Sequence, residues 1–305
     1  MLLMDLTDTS PLTIIGEGLG VGLEPTLEEW EHLAHVAQQF IKENLDGLDS
    51  RSAVDTNAEL GEGSLNHYLH DLFSSGFNPA HPGFMAYIPG GGLVTSALAE
   101  WIIKSLNRYG TAYFAAPKLA ELELEVIRTF ARWLGFGENA GGVLTTGGSV
   151  ANFTAVVTAR RALLPEDFLK GVIYCSDQVH HSVMKAANLA GFSDRNLRIL
   201  PSDKNFRFQP KLLDLVVEKD LQANLQPFLL VASAGTTNTG SIDPLEQLAK
   251  SCQKHSLWYH IDAAYGGAFV LTNRGKERMP GIELADSVTL DPHKGMFLPY
   301  GTGSI

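Results

Sequence analysis

Lys294 ends an Asp291-Pro292-His293-Lys294 run that directly follows the short apolar segment Ser287–Leu290. A lone lysine is usually a solvated charge. One set at the end of a buried strand, among Pro292, Gly295, Met296 and Phe297, is placed for imine chemistry with a carbonyl compound. Four further segments offer it partners. Thr145-Thr146-Gly147-Gly148-Ser149 precedes a helical stretch. Such a turn is often only an N-cap, but helix-start N–H groups and the Ser149 hydroxyl form an anion site that glycines let a ligand approach. Asp177-Gln178-Val179-His180-His181 follows Val172–Cys175, and His180 offers either a flat stacking ring or an ordinary core histidine. Gly235-Thr236-Thr237 follows Phe228–Ala232, and Asp262-Ala263-Ala264 follows Trp258–Ile261. Asp262 could cap a loop, yet a carboxylate in so apolar a neighbourhood needs a cationic partner.

These groups need a scaffold that brings five strand ends together. From Gly142 onward, short two-sided apolar runs alternate with helical stretches, which reads as a mostly parallel sheet with helices on both faces, an α/β fold. In such sheets ligands bind beyond the carboxyl ends of the strands. Val143-Leu144 is expected to be the first strand of that sheet. The apolar spacing predicts helices over Thr26 to about Leu45, over Thr95–Asn107, and over Lys118–Leu134 with Leu119, Leu122, Val126, Phe130 and Trp133 facing inward. Asp243-Pro244-Leu245-Glu246 reads as a helix start with Asp243 as N-cap. Residues 50–84 are loop-rich. Thr302–Ile305 reads as a strand cut short with an unpaired edge, so a fragment of a longer protein is expected.

The chain has 305 residues, is 45% hydrophobic and carries a formal net charge of −11. Without a basic run, that balance argues against nucleic acid as a partner. Two cysteines, Cys175 and Cys252, form no disulfide framework and point to a reducing cytoplasm. No apolar stretch reaches the ~18–20 residues of a membrane span. Other signals carry less. The run Gly16–Gly22 imitates a dinucleotide turn, but position 23 is Leu and Glu24-Pro25 interrupt the helix entry. His32/His35 and His67/His70 lack acidic or cysteine partners of metal-site type and read as solvated helix faces, so no metal is expected. No G-x-S-x-G elbow occurs, which weakens a serine-hydrolase reading.

A phosphate cradle, a carboxylate, a flat ring and a lysine together suit pyridoxal 5′-phosphate. Lysine would hold its aldehyde, aspartate its ring nitrogen, and the helix start its phosphate, with Ala264 under the ring face opposite His180. At this point the chain resembles the group II pyridoxal-phosphate-dependent amino acid decarboxylases, which include aromatic-L-amino-acid, glutamate and cysteine-sulfinate decarboxylases. Four segments carry the resemblance, in order. They are His81-Pro82-Gly83-Phe84-Met85-Ala86-Tyr87, Ser176-Asp177-Gln178-Val179-His180-His181-Ser182, His260-Ile261-Asp262-Ala263-Ala264-Tyr265-Gly266-Gly267, and Asp286-Ser287 with Asp291-Pro292-His293-Lys294.

The resemblance implies an aspartate-aminotransferase-like fold of type I and decarboxylation of an L-amino acid, aromatic or similar. It makes Lys294, His180 and Asp262 catalytic. The cofactor set would be Gly147, Gly148, Ser149, His180, Thr237, Asp262, Ala264, His293 and Lys294, with Tyr87 on the substrate side. It implies a homodimer. Residues 1–84 would be a helical, dimer-contacting arm, and 85–305 a cofactor-binding large domain without the small C-terminal domain. Departures from the family pattern are Gly295 where Trp is common, Thr302 where Cys or Ala is common, and Gly90-Gly91-Gly92 in place of bulkier residues. The alternatives are a carbon–carbon lyase or aminotransferase on the same scaffold, or a non-catalytic fragment that binds only cofactor.

Overall fold

Five of the apolar runs form one parallel sheet. The computed structural model describes residues 26–46, 54–55, 69, 72–73, 76–81, 83–88 and 92–305, and the chain divides into two units, residues 1–91 and 92–305. In the first unit, α1 spans Leu27–Asp46, with His32 and His35 both exposed. β1 (Val54–Asp55) pairs antiparallel with β2 (Gly76–Phe77). The Gly16–Gly22 run and the His67/His70 pair lie outside the described residues.

The second unit opens with α2 (Val94–Leu106) and α3 (Pro117–Trp133), then β3 (Leu144–Thr145) and α4 (Gly148–Leu163). There follow β4 (Gly171–Ser176), α5 (His181–Leu189), β5 (Leu197–Leu200), α6 (Pro210–Gln222), β6 (Gln226–Ser233) and α7 (Leu245–His255). The last elements are β7 (Trp258–Asp262), α8 (Asn273–Arg278), β8 (Ser287–Thr289), α9 (Pro292–Gly295) and β9 (Gly303–Ser304). The sheet order is β5-β4-β6-β7-β8, and every pairing in it is parallel.

Period-2 alternation divides the strand residues between two cores. Val172, Tyr174, Leu230, Ala232, Tyr259 and Ile261 pack with Leu213 and Val217 of α6 and Leu248 of α7. Ile173, Cys175, Leu229 and Val231 pack with Val156 and Ala159 of α4 and Ala186 of α5. Each large aliphatic side chain buried this way contributes about 1.5–3 kcal/mol relative to exposure. The expected helices on both faces are present.

Four local expectations are corrected. β3 is not a strand of the parallel sheet; it pairs antiparallel with β9. β9 is not unpaired, because Ser304 also bridges Leu290 beyond β8, and Val143 and Ile305 exchange backbone hydrogen bonds. Asp243 does not cap α7, whose N-cap is Pro244; its carboxylate accepts from the N–H groups of Phe208 and Ser233, both at 2.7 Å. On α3, Leu119 and Leu122 are exposed, while Ile127 is buried and Phe130 and the C-cap residue Leu134 pack into the core. Docking selected a row slightly round the helix from the one that the spacing favoured.

Candidate active site

The sheet order reverses between β4 and β6, since β5 lies to one side of β4 and β6, β7 and β8 to the other. Such a switch point opens a crevice at the carboxyl strand ends. A small cleft there is lined by His180, Thr236, Thr237, Asp262, Ala264 and Lys294, with Ser233, Gly235 and Tyr265. Five of the residues expected from sequence thus share one cavity.

Register places Asp262. The last pairings of β7 set it beside Ser233 on β6 and Thr289 on β8. Alternation puts Tyr259 and Ile261 into one core, leaving His260 and Asp262 on the other face. Asp262 Oδ2 accepts from Asn152 Nδ2 at 2.8 Å, and Oδ1 from the Ala264 N–H at 3.1 Å. Asn152 sits in the second turn of α4, buried, a polar residue among Ala151, Ala155 and Val156. The sequence reading missed it; a lone amide on an otherwise apolar helix face was the available signal.

His180 is the N-cap of α5, and its Nδ1 accepts from the Ser182 N–H at 3.3 Å and lies 2.7 Å from Ser182 Oγ. Burial lowers its pKa, outweighing the attraction of Asp262. Exposed His181 lies alongside, with ring centroids 4.1 Å apart.

Lys294 stands on α9, and its Nζ lies 3.0 Å from Asp291 Oδ2. Asp291 is 1% exposed, and its Oδ1 is buried without a hydrogen-bond partner. His293 Nε2 is 3.8 Å from the same Oδ2, while its Nδ1 bonds the Thr302 carbonyl. Asp291 stands within the Asp-Pro-His-Lys motif, but nothing local in the sequence marks its carboxylate as the partner of Lys294.

The glycine turn closes against this carboxylate. Gly147 has φ +141°, a backbone conformation that side-chain-bearing residues rarely adopt. A Cβ on Gly148 would fall 2.7 Å from Asp291 Oδ2 and 3.3 Å from the Ala264 methyl. Exposed Ser149 follows in the first turn of α4. Tyr87 belongs to the first unit, where its ring is 5.3 Å from that of Phe77.

A parallel sheet of this topology, with a lysine–carboxylate pair and a glycine-led helix start at its switch point, suits the class of pyridoxal-phosphate-binding domains. The chain belongs to the pyridoxal-dependent decarboxylases: that family's conserved domain matches residues 53–305. It is 33% identical over 279 residues to an aromatic-L-amino-acid decarboxylase of Bacillus atrophaeus, covering 90% of this chain and 58% of that one. Against an aspartate 1-decarboxylase of Aliivibrio fischeri the identity is 29% over 333 residues, covering 97% and 59%. The crystal structure of Catharanthus roseus tryptophan decarboxylase in complex with L-tryptophan superposes with a TM-score of 0.83 at 26% identity, covering 92% of this chain and 67% of that one. The chain therefore spans less than two thirds of the length of these two curated relatives.

The cofactor is pyridoxal 5′-phosphate, and the residues fit it. At the start of a 16-residue helix led by two glycines, Val150 and Ala151 donate to the Gly147 carbonyl, while the N–H groups of Gly148 and Ser149 have no acceptor within the helix. Asp262 retains acceptor capacity beyond its two hydrogen bonds. The Lys294 amine and the Asp262 carboxylate line the same cleft.

Proposed function

We propose that the protein carrying this chain converts an L-amino acid, aromatic or similar, to its amine and CO₂. One observation carries the reading: Lys294, Asp262 and His180 converge on a single cleft at the sheet's switch point. When bound, pyridoxal phosphate supplies an electron sink for the pair left on Cα as the carboxylate departs.

In this reading Lys294 Nζ is the covalent attachment point, and Asp291 Oδ2 is the base nearest to its proton. Asp262 would hold the proton of the ring nitrogen, and His180 and Ala264 would flank the ring. Gly147, Gly148 and Ser149 hold the phosphate, with Thr237 and His293 in support, and Tyr87 serves the substrate side. The chain is similar both to a relative named for aromatic amino acids and to one named for aspartate, so family membership alone does not choose the substrate side chain.

The working form is a homodimer, with residues 1–84 as the contacting arm and 85–305 as the large domain. Exposed Leu98, Ile102 and Leu106 on α2 supply apolar surface for such an interface. Buried, unpaired Cys175 and Cys252 support a cytoplasmic location, and no helix among the described residues is long and apolar enough to cross a membrane.

A panel of L-amino acids with CO₂ trapping, on the protein with its cofactor, tests the reading. Release from an aromatic substrate is expected. Amino-group transfer to a keto acid, or carbon–carbon cleavage without CO₂ loss, would overturn it.

A further inference from the structure

Asn152 is 1% exposed beneath the cleft and engages every polar atom that it has. Nδ2 donates to Asp262 Oδ2 at 2.8 Å and to Ser182 Oγ at 2.9 Å. Oδ1 accepts from Thr289 Oγ1 at 2.8 Å and faces His260 Nε2 at 3.0 Å. One chemical fact sets the direction of the whole set: a carboxylate only accepts. Asp262 therefore requires Nδ2 on its own side, which turns Oδ1 toward His260.

Two branches follow. On the first, His260 must carry its proton on Nε2, so its Nδ1 accepts from Ser287 Oγ at 2.9 Å. Ser287 is free to give that proton because Trp258 Nε1, a donor only, bonds the same oxygen at 2.9 Å. Burial pushes the pKa of His260 down to about 4, so this ring is neutral, as the pattern needs. On the second branch, Ser182 Oγ receives from Asn152 and turns its own proton to His180 Nδ1, 2.7 Å away. The Ser182 N–H points at the same nitrogen. His180 Nδ1 is thus an acceptor, and its remaining proton sits on Nε2.

We propose that Asn152 is a positioning residue that couples the orientation of Asp262 to the tautomer of His180 through Ser182, so that His180 offers the cleft a neutral ring bearing an Nε2–H donor. The consequence rests on the reading above of the cleft as a cofactor site. A neutral His180 avoids a second positive charge beside the ring proton that Asp262 would hold. The tautomer itself needs no cofactor.

Nitrogen-15 NMR of the histidine-labelled, cofactor-free chain reads the tautomer directly, with His180→Gln assigning the resonances. The wild type should show Nε2 protonated and Nδ1 not. Asn152→Asp is nearly isosteric, and its new carboxylate should draw the Ser182 hydroxyl away from His180. The ratio of Nε2–H to Nδ1–H should then fall about fivefold, the equilibrium weight of one ordinary hydrogen bond. Ser182→Ala, which leaves Asn152 and Asp262 paired, should move the ratio the same way, and Ser182→Thr should restore it. Should Asn152→Asp fail to fold, the Ser182 pair decides the matter. A wild-type proton on Nδ1, or an unchanged ratio in the variants that fold, overturns the proposal. Because the measurement is made without cofactor, it stands or falls separately from the catalytic reading.

Discussion

Lys294 Nζ lies 3.0 Å from Oδ2 of Asp291, three residues earlier in the chain, and that carboxylate is almost wholly buried. Burying a carboxylate is costly unless a cation or several hydrogen bonds compensate. Asp291 Oδ1 has no partner, so Lys294 is the main compensation that this carboxylate receives. Lys294 also lines the cleft, so under the proposed function cofactor attachment is tied to the burial of a charge.

Asp291→Asn keeps the shape and removes the charge. Cofactor attachment should slow at least about tenfold, the equivalent of ~1.4 kcal/mol in barrier. Stopped-flow absorbance after adding pyridoxal phosphate measures it. A rate equal to wild type would mean that the ion pair does not prepare the lysine.

Borohydride reduction of the loaded protein, followed by peptide mapping, should put the pyridoxyl label on Lys294. A label on Lys104 or Lys185 would remove Lys294 from its proposed role.

Asp262→Ala should lose at least about a hundredfold in turnover, since each ~1.4 kcal/mol of lost transition-state stabilisation is tenfold in rate. Circular dichroism should show the fold retained. A turnover within about threefold of wild type contradicts the part given to this carboxylate.

Gly148→Ala places a methyl where a Cβ would fall 2.7 Å from Asp291 Oδ2, a buried oxygen with little room to move. Overpacking of this kind costs about 1–3 kcal/mol. A matching drop in the urea-unfolding free energy is expected, together with weaker cofactor binding by fluorescence titration.

Acid should weaken the fold through His260. Its folded pKa is held near 4 by burial, against an ordinary value of about 6.5. The unfolded chain therefore binds the proton more readily, and the stabilisation, complete above about pH 6.5, is lost as the pH falls toward 4. Between pH 7 and 5 this amounts to on the order of 2 kcal/mol. Urea titrations at the two pH values measure it, and His260→Asn should flatten the slope.

What was legible in the sequence was local. Apolar runs such as Val172–Cys175 and Trp258–Ile261 have to be buried, and the polar residue after each has to emerge at a strand end. That places His180, Asp262 and Lys294 at one rim once the strands are parallel, and the Gly147-Gly148 pair marks a helix start. Neighbours along the chain impose these features, so the order of residues alone determines them.

Tertiary packing decided the rest. The Asn152 amide joins Asp262, His260 and Thr289, which lie 110, 108 and 137 residues away. No local period encodes which distant donor meets which acceptor, because a hydrogen bond depends on a few tenths of an ångström set by the sheet and by α4 together. The same holds for Asp243, which gave up a cap to take two backbone N–H groups from separate segments. It holds also for β3, whose partner β9 lies more than 150 residues onward and runs antiparallel. The residue types and their places at the strand ends came from the sequence; the direction of each proton between them came from the fold, since only close packing brings those groups within bonding distance.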